Sequence, residues 1–162
     1  MIVTYFMKIP KWGNFRRTRD PLNYILKPTL YELARMSYPN YSLVWNDEFN
    51  GSSLSSDWIY EIGNGSWGWG NNELQNYTSD DKDNLFIEDG LLKIQPIHEV
   101  NIGSDNVEQN FTSAKIFTKN KFAIEIGSRI TVCFKVPSGT GLWPAIWMLP
   151  FDETPWPRGG EI

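Results

Sequence analysis

Apolar and polar residues alternate along much of the chain after residue 40, at the two-residue period of half-buried β-strands. The clearest run is 129–136, where Ile130, Val132, Phe134 and Val136 share one side and polar residues and Cys133 occupy the other. Further strands are predicted over residues 42–49, 84–88, 91–95, 111–118 and 142–149. No helical period appears in this part of the sequence.

Turn-forming residues separate the predicted strands. Asp89-Gly90 lies between 84–88 and 91–95, and this dipeptide is typical of a two-residue type I′ hairpin. Pro137-Ser138-Gly139 ends the alternating run. Short strands with frequent turns predict an all-β fold, either a sandwich or a barrel.

The first part of the chain has a different character. Residues 1–37 carry seven basic and two acidic side chains, whereas the whole chain has a net charge of -4. Thr29 and Glu32 have the spacing of a helix capping box. We therefore predict that residues 1–38 form a basic leader, irregular or with a short helix, and that 39–162 form a separate folded part. The apolar start lacks the basic region and cleavage site of a signal peptide.

Length, charge and composition exclude some classes of protein function. The chain of 162 residues suits one domain, or part of one, because all-β domains often reach roughly 200–250 residues. The negative charge argues against nucleic acid as a partner, and no segment approaches the ~18 apolar residues of a membrane span. Cys133 is the single cysteine, so no internal disulfide forms. Five Asn-x-Ser/Thr sequons suit a secreted protein, or simply reflect loop chemistry: Asn40, Asn50, Asn64, Asn76 and Asn110.

Tryptophan-rich sequence precedes a carboxylate near the end of the chain. Trp143 and Trp147 lie in the run 141–150, and Glu161 follows in Gly-Gly-Glu-Ile. Flat aromatic faces suit the stacking of sugar rings, and an acid beside them suits cleavage of the bond between sugars. On a strand, residues four apart share a face, which is equally compatible with a cleft and with a core. A single glutamate here could also be an ordinary surface charge.

Several longer motifs add context to this glutamate. The segments 45–51, 67–78, 111–118 and 136–150 resemble, in order, conserved boxes of glycoside hydrolase family 16, including Trp-Gly-Asn-Asn-Glu-Leu-Gln and Gly-Leu-Trp-Pro-Ala-Ile-Trp-Met-Leu-Pro. Gly160-Glu161-Ile162 is similar to the start of the family's signature Glu-Ile-Asp-x-x-Glu. The combination looks most like the β-1,3-glucanase (laminarinase) branch.

The resemblance implies a jelly-roll β-sandwich, concanavalin A-like, which would be incomplete at the C-terminus. It also implies hydrolysis of β-1,3-glucan by retention, for which two carboxyls stand ~5–5.5 Å apart. Glu161 would be the nucleophile, and the acid/base would lie beyond Ile162, so that the 162 residues alone are expected to be inactive. The alternatives are a non-catalytic β-1,3-glucan-recognition protein of the same fold and a truncated product that does not fold stably.

The resemblance assigns roles to other residues as well. Asn72 would bind a glucosyl unit, and Trp143 and Trp147 would stack on sugar faces. Lys115 stands where the family usually has Arg; it keeps the positive charge but loses the planar fork of the guanidinium, which should loosen sugar contacts.

Cofactors, partners and location follow from the same resemblance. No cofactor is required, although a structural calcium is possible, with oxygens from Glu48 and from the carbonyl of Gly90. An ordinary surface acid and a hairpin glycine are the alternative for these two residues. The expected partner of the chain is a β-glucan polysaccharide, with neither nucleic acid nor membrane. The expected state is a monomer, and the expected location is extracellular.

Overall fold

The computed structural model describes residues 2–7, 40–79 and 83–162, and nearly all of its regular structure is strand. The elements are β1 (Ile2–Met7), β2 (Ile59–Glu61), a short helical turn α1 (Gly65–Gly68), β3 (Asn76–Tyr77), β4 (Leu85–Glu88), β5 (Leu91–Ile94), β6 (Ile97–Ile102), β7 (Glu108–Ser113), β8 (Lys115–Phe117) and β9 (Leu142–Trp147). Within the described ranges, no helix is long and apolar enough to cross a membrane.

The strands form three sheets. The largest has the order β2-β8-β1-β9, and all its neighbours are antiparallel. A second sheet has the order β3-β7-β6, in which β3 and β7 run parallel. The third is the β4–β5 hairpin. The fold is therefore all-β, and β3–β7 is the one parallel pair among the described strands.

Strand β8 separates the apolar core from the polar face that carries the candidate site. The Ile116 side chain is fully buried and packs in a core with Trp58, Leu85 and Ala114. Because successive side chains of a strand point to opposite faces, Lys115 points away from this core. The partly buried residues around the core are Trp45, Phe49, Leu54, Tyr60, Leu92 and Ile94.

Four strand predictions are confirmed, those for 84–88, 91–95, 111–118 and 142–149. Strands β4 and β5 pair through Asp89 and Gly90, whose φ angles of 56° and 67° are both in the left-handed region that a type I′ turn requires. Strand β9 matches the prediction for 142–149 but ends two residues earlier. The prediction for 111–118 corresponds to the end of β7 and to β8, which are interrupted at Ala114.

The strand predicted over 42–49 is wrong. A polar side chain in this segment, that of Asp47, accepts hydrogen bonds from the segment's own backbone and from a nearby indole, and the segment does not pair with another strand in the described part of the chain. Asp47 accepts hydrogen bonds from the backbone N–H of Phe49 at 2.8 Å and from the indole of Trp58 at 2.9 Å. Phe49 has a φ of 50°, which breaks an extended conformation.

The strand predicted over 129–136 is also wrong, although its alternation is the most regular in the sequence. These residues form no ladder with any strand of the described ranges. Their apolar side chains are correspondingly exposed, with Phe134 at 66% and Val136 at 53%. Alternation shows which side chains would share a face, but a strand also needs a partner.

The first residues of the chain correct another prediction. An irregular or short helical leader was expected over 1–38, yet Ile2–Met7 form β1 between β8 and β9. The segment Ile-Val-Thr-Tyr-Phe-Met is rich in β-branched and aromatic residues and carries no charge, which favours a strand. The predicted Thr29–Glu32 helix lies outside the described residues.

The turn α1 was not predicted, and it is left-handed. The backbone φ is positive at every residue from Gly65 to Gly70, including Ser66, Trp67 and Trp69. Three glycines make this conformation accessible, because glycine adopts positive φ without steric cost. Gly68 must also be a glycine for space, since a Cβ there would lie 2.6 Å from the backbone nitrogen of Glu73.

Candidate functional site

The candidate site is built around Lys115, whose side chain is enclosed by aromatic rings. The residue is only 4% exposed, and its Nζ lies 4.0 Å from the ring centre of Trp69 and 5.4 Å from that of Trp147. Tyr77 lies at 5.8 Å, and Glu61 forms an ion pair with Lys115 at 2.5 Å. Aromatic faces attract a cation through their quadrupole. We call these residues the Lys115 cluster: Lys115, Glu61, Trp69, Tyr77 and Trp147.

A second carboxylate, Glu73, borders the cluster. Its Oε2 accepts hydrogen bonds from the Tyr77 hydroxyl at 2.8 Å and from Gln75 at 2.9 Å, and its Oε1 accepts one from Asn71 at 3.3 Å. Burial raises the pKa of the Glu73 carboxyl, and the hydrogen bonds from Tyr77 and Asn71, the charge of Lys115 and the hydrogen bond from Gln75 oppose that rise in part. The site therefore holds an acid that retains its proton more readily than an exposed glutamate does.

The two indoles that flank Lys115 have unused donors. The Nε1 atoms of Trp69 and Trp147 are buried and find no hydrogen-bond acceptor within the described part of the chain. An unpaired buried donor costs about 1–3 kcal/mol. Groups of this kind need a specific explanation such as a functional role or an ordered water.

Strand β9 carries both tryptophans predicted to line a cleft. Trp143 and Trp147 share one face because they are four residues apart on the strand, a separation of about 13 Å. Trp143 is 55% exposed and Trp147 half-buried, and neither belongs to the apolar core. Both residues thus lie outside the described apolar core, and their part in lining a cleft stays a prediction.

Glu161 is exposed, and the backbone fixes its side relative to β9. Met148 and Ile162 exchange two backbone hydrogen bonds, of 2.8 and 3.2 Å. The side chains of directly paired residues lie on the same face of a sheet, and the side chains of the residues next to them in sequence lie on the opposite face. Glu161 therefore points to the same face as Trp147, which is the face of the Lys115 cluster.

Asn72 lies just after the left-handed turn and has a φ of 57°. It is exposed, and its neighbours in sequence are Asn71 and Glu73, which bind each other. Its role in sugar binding stays a prediction. Lys115 differs from expectation in its surroundings, because its ammonium is held by Glu61 and by aromatic rings beneath the surface.

Glu48 and Gly90 are the residues predicted to bind calcium. Glu48 is half-buried, and the exposed Gly90 lies near the Asn50 side chain, whose Oδ1 would be 3.7 Å from a Cβ on that glycine. Carboxylate, amide and carbonyl oxygens are the donors that Ca²⁺ prefers, so the chemistry of these residues fits the ion. No group of three or more His, Cys, Asp and Glu side chains is placed to hold a metal within the described ranges.

Sequence reasoning missed five residues of the site, namely Glu61, Trp69, Glu73, Gln75 and Tyr77. Glu73, Gln75 and Tyr77 recur at the two-residue spacing of one strand face, and this period would have predicted that they contact one another. Trp69 lay inside a recognised motif but was given no role. Glu61 pairs with Lys115 across β2 and β8, and nothing in the sequence near Glu61 indicates this contact.

Comparison with protein families gives one match to more than half of the chain. The family model described as XgeA-like, catalytic GH16 domain, matches residues 70–162. This range contains Glu73, Lys115, both tryptophans of β9 and Glu161.

Individual relatives are similar in sequence. A glucan endo-1,3-beta-glucosidase A1 of Niallia circulans is 40% identical over 132 residues, which are 75% of this chain and 19% of that protein. A glucan endo-1,3-beta-glucosidase of Cryptopygus antarcticus is 37% identical over 143 residues, which are 87% of this chain and 51% of that protein. The chain thus spans about half or less of the length of these relatives.

Solved structures agree with the sequence relatives. The laminarinase catalytic domain from Thermotoga maritima superposes with a TM-score of 0.61 at 36% identity, over 74% of this chain and 49% of that one. Together with the nearly all-strand composition, this likeness confirms the predicted all-β fold of the jelly-roll sandwich class.

Proposed function

The chain belongs to glycoside hydrolase family 16, and we propose that the protein hydrolyses β-1,3-glucosidic bonds in laminarin-like glucan with retention of anomeric configuration. The observation that carries the proposal is the backbone pairing of Met148 with Ile162, since strand parity then turns Glu161 toward the side of Trp147, beside the Lys115 cluster. Cleavage with retention needs two carboxylates, of which Glu161 would be one, and the aromatic rings would hold the sugar beside it.

In this mechanism Glu161 is the nucleophile. Its carboxylate attacks the anomeric carbon, and the bond from that carbon to the leaving oxygen breaks. The leaving oxygen takes a proton from a second carboxylic acid, which the family signature places after Ile162. Water then loses a proton to that second carboxylate and attacks the same carbon, which releases the sugar and restores Glu161. Two displacements at one carbon retain its configuration.

The remaining site residues would bind and orient the glucan. Trp143 and Trp147 would stack on sugar faces, and Asn72 would donate to or accept from a hydroxyl group. Lys115 would act mainly by holding Trp69 and Trp147 in place, since its ammonium already pairs with Glu61. The proposal also includes a monomeric protein that acts outside the cell, in keeping with a polysaccharide substrate.

The experiment that tests this function is hydrolysis of laminarin by the full-length gene product, with the configuration of the first products followed by proton NMR. We expect β-configured reducing ends to appear first, before they mutarotate. Sulfated galactan serves as the control polymer and should not be cleaved. Initial release of α-configured ends, or equal cleavage of both polymers, would contradict the proposal.

A non-catalytic glucan-recognition protein is the other candidate. The aromatic face of β9 suits either function, and Glu161 is the feature that favours an enzyme. Binding of laminarin by the full-length protein without any release of reducing sugar would support recognition instead.

Calcium at Glu48 and at the carbonyl of Gly90 forms part of the proposal as a structural ion. Glu48 would supply charge, Gly90 a backbone oxygen and Asn50 an amide oxygen. We expect added Ca²⁺ to raise the thermal midpoint of the protein and Glu48→Gln to abolish that rise, because binding to the folded state stabilises it. Glu108→Gln, which changes an exposed glutamate at the start of β7, is the matched control. An identical response of the two variants to Ca²⁺ would contradict this site.

A further inference from the structure

We propose that Trp67 forms an additional aromatic platform, on which one more pyranose ring of a neutral glucan stacks beside the Lys115 cluster. The inference rests on the proposed function, which it extends. Trp67 is 76% exposed, so packing does not explain its large apolar ring. An exposed aromatic ring close to a sugar site is suited to contact the apolar face of a sugar.

The position of Trp67 links it to the cluster. Trp69 follows two residues later, and its ring covers the backbone of Gly65, where a Cβ would lie 2.1 Å from the ring. Trp69 also contacts Lys115. Two residues of chain span at most about 7 Å. The turn therefore places the backbone of the exposed Trp67 within about 7 Å of that of Trp69, whose ring is part of the cluster.

The turn holds Trp67 in a conformation that local preference disfavours. Left-handed helical backbone costs roughly 1–2 kcal/mol per residue other than glycine, and Ser66, Trp67 and Trp69 all adopt it. Strain of this kind persists only where the surroundings impose it, and it concentrates at ligand sites. Exposed Trp67 gains little burial that would offset the cost.

The surroundings that impose this conformation are buried and well connected. The side chain of Asn64 is fully buried and donates to the carbonyl of Gln75 at 3.0 Å, while its backbone N–H donates to Asp105 at 2.6 Å. The N–H of Gly68 donates to the carbonyl of Asn64 at 2.8 Å. The base of the turn is thus fixed from separate segments, so binding a ligand at Trp67 requires little ordering of the backbone.

The lack of charged side chains in the turn indicates which class of ligand Trp67 would bind. The sequence from Ile62 to Asn72 contains no charged residue, and the exposed amides of Asn71 and Asn72 follow the turn. Such a surface offers stacking and hydrogen bonds to hydroxyl groups, but no cation for a sulfate or a uronate. A neutral glucan matches it.

The test compares Trp67→Asn with Trp67→Tyr, both made in full-length protein that also carries Glu161→Gln to prevent cleavage. Asn removes the ring but tolerates positive φ, and Tyr keeps an aromatic face. Dissociation constants are measured by calorimetry for β-1,3-linked glucose oligomers of increasing length. Trp156→Asn, which removes another exposed indole, is the matched control.

We expect Trp67→Asn to weaken binding of the longer oligomers by about threefold to tenfold, with short oligomers unaffected and with Tyr restoring most of the affinity. Equal affinities of Trp67→Asn and the parent for every length would overturn the platform while leaving the proposed function intact. An equal loss at every length would also overturn it, because the ring would then be acting on the fold of the site. Failure of the parent itself to bind any oligomer would instead refute the proposed function, and the platform with it.

Discussion

Glu161→Gln is expected to lower the rate of laminarin hydrolysis by the full-length protein by roughly 10⁴-fold or more, because the amide cannot attack the anomeric carbon. Binding should survive, since the aromatic face of β9 is unchanged. The measurement is kcat from reducing-sugar release, together with the dissociation constant for laminarin. A loss in kcat with an unchanged dissociation constant is the signature of a group that acts only on the reaction.

Glu153→Gln is the control for this substitution. Glu153 lies eight residues earlier in an exposed ion pair with Lys119, so its loss should leave kcat within about twofold because surface pairs contribute little. A second variant, Glu161→Ala, tests the role more directly. Azide added to it should attack from the vacated side and give an α-configured glycosyl azide from an activated aryl β-glucoside of laminaribiose. Full activity of Glu161→Gln would show that another residue is the nucleophile.

Lys115→Met should reduce the free energy of unfolding by about 2–3 kcal/mol. The ammonium is almost fully buried among Trp69, Tyr77 and Trp147, and Met fills similar space without charge. Removing one partner of a buried pair leaves the other charge uncompensated, at a cost of about 3–5 kcal/mol. Glu61 is 33% exposed and regains some hydration, which reduces that cost. Urea denaturation of both proteins measures the difference.

A double-mutant cycle separates the ion pair from packing. Glu61→Gln combined with Lys115→Met should recover part of the loss, since no unpaired charge then remains. Lys93→Met, which breaks the exposed pair with Glu88, is the matched control and should cost under about 1 kcal/mol. If Lys115→Met costs no more than Lys93→Met, then the enclosure of the ammonium has no energetic consequence.

Local chemistry was predictable from sequence in this fold, whereas pairing between distant segments was not. Asp89 and Gly90 form the predicted hairpin because two adjacent residues decide the turn type. The run from Arg129 to Val136 has better alternation and no strand, because ladder partners come from elsewhere in the chain. Strand β1 was missed for the same reason: nothing near Ile2 indicates that β8 and β9 flank it.

Some features of the candidate site could likewise be predicted from local sequence, and others could not. Strand parity predicted that Trp143 and Trp147 share a face, and the backbone pair Met148–Ile162 brings Glu161 to that face as well. The environment of Lys115 could not be predicted, because Glu61 and the Trp69 ring approach it from separate segments. The left-handed turn could not be predicted for a different reason. Its glycines indicate where a positive φ is possible, but nothing in the sequence indicates that Ser66 and Trp67 adopt a positive φ as well.

The complete burial of Asn64 and Asn76 bears on how the protein can be made. Each is the asparagine of a sequon, and each uses its side-chain amide inside the fold: Asn64 on the carbonyl of Gln75, Asn76 on that of Val107. A glycan joined to either amide nitrogen would place a bulky sugar in the interior. In a host that attaches glycans during synthesis, modification at these two positions would compete with folding, and modified molecules would be retained and degraded. A host without that machinery avoids the conflict and is the better choice for producing the folded protein.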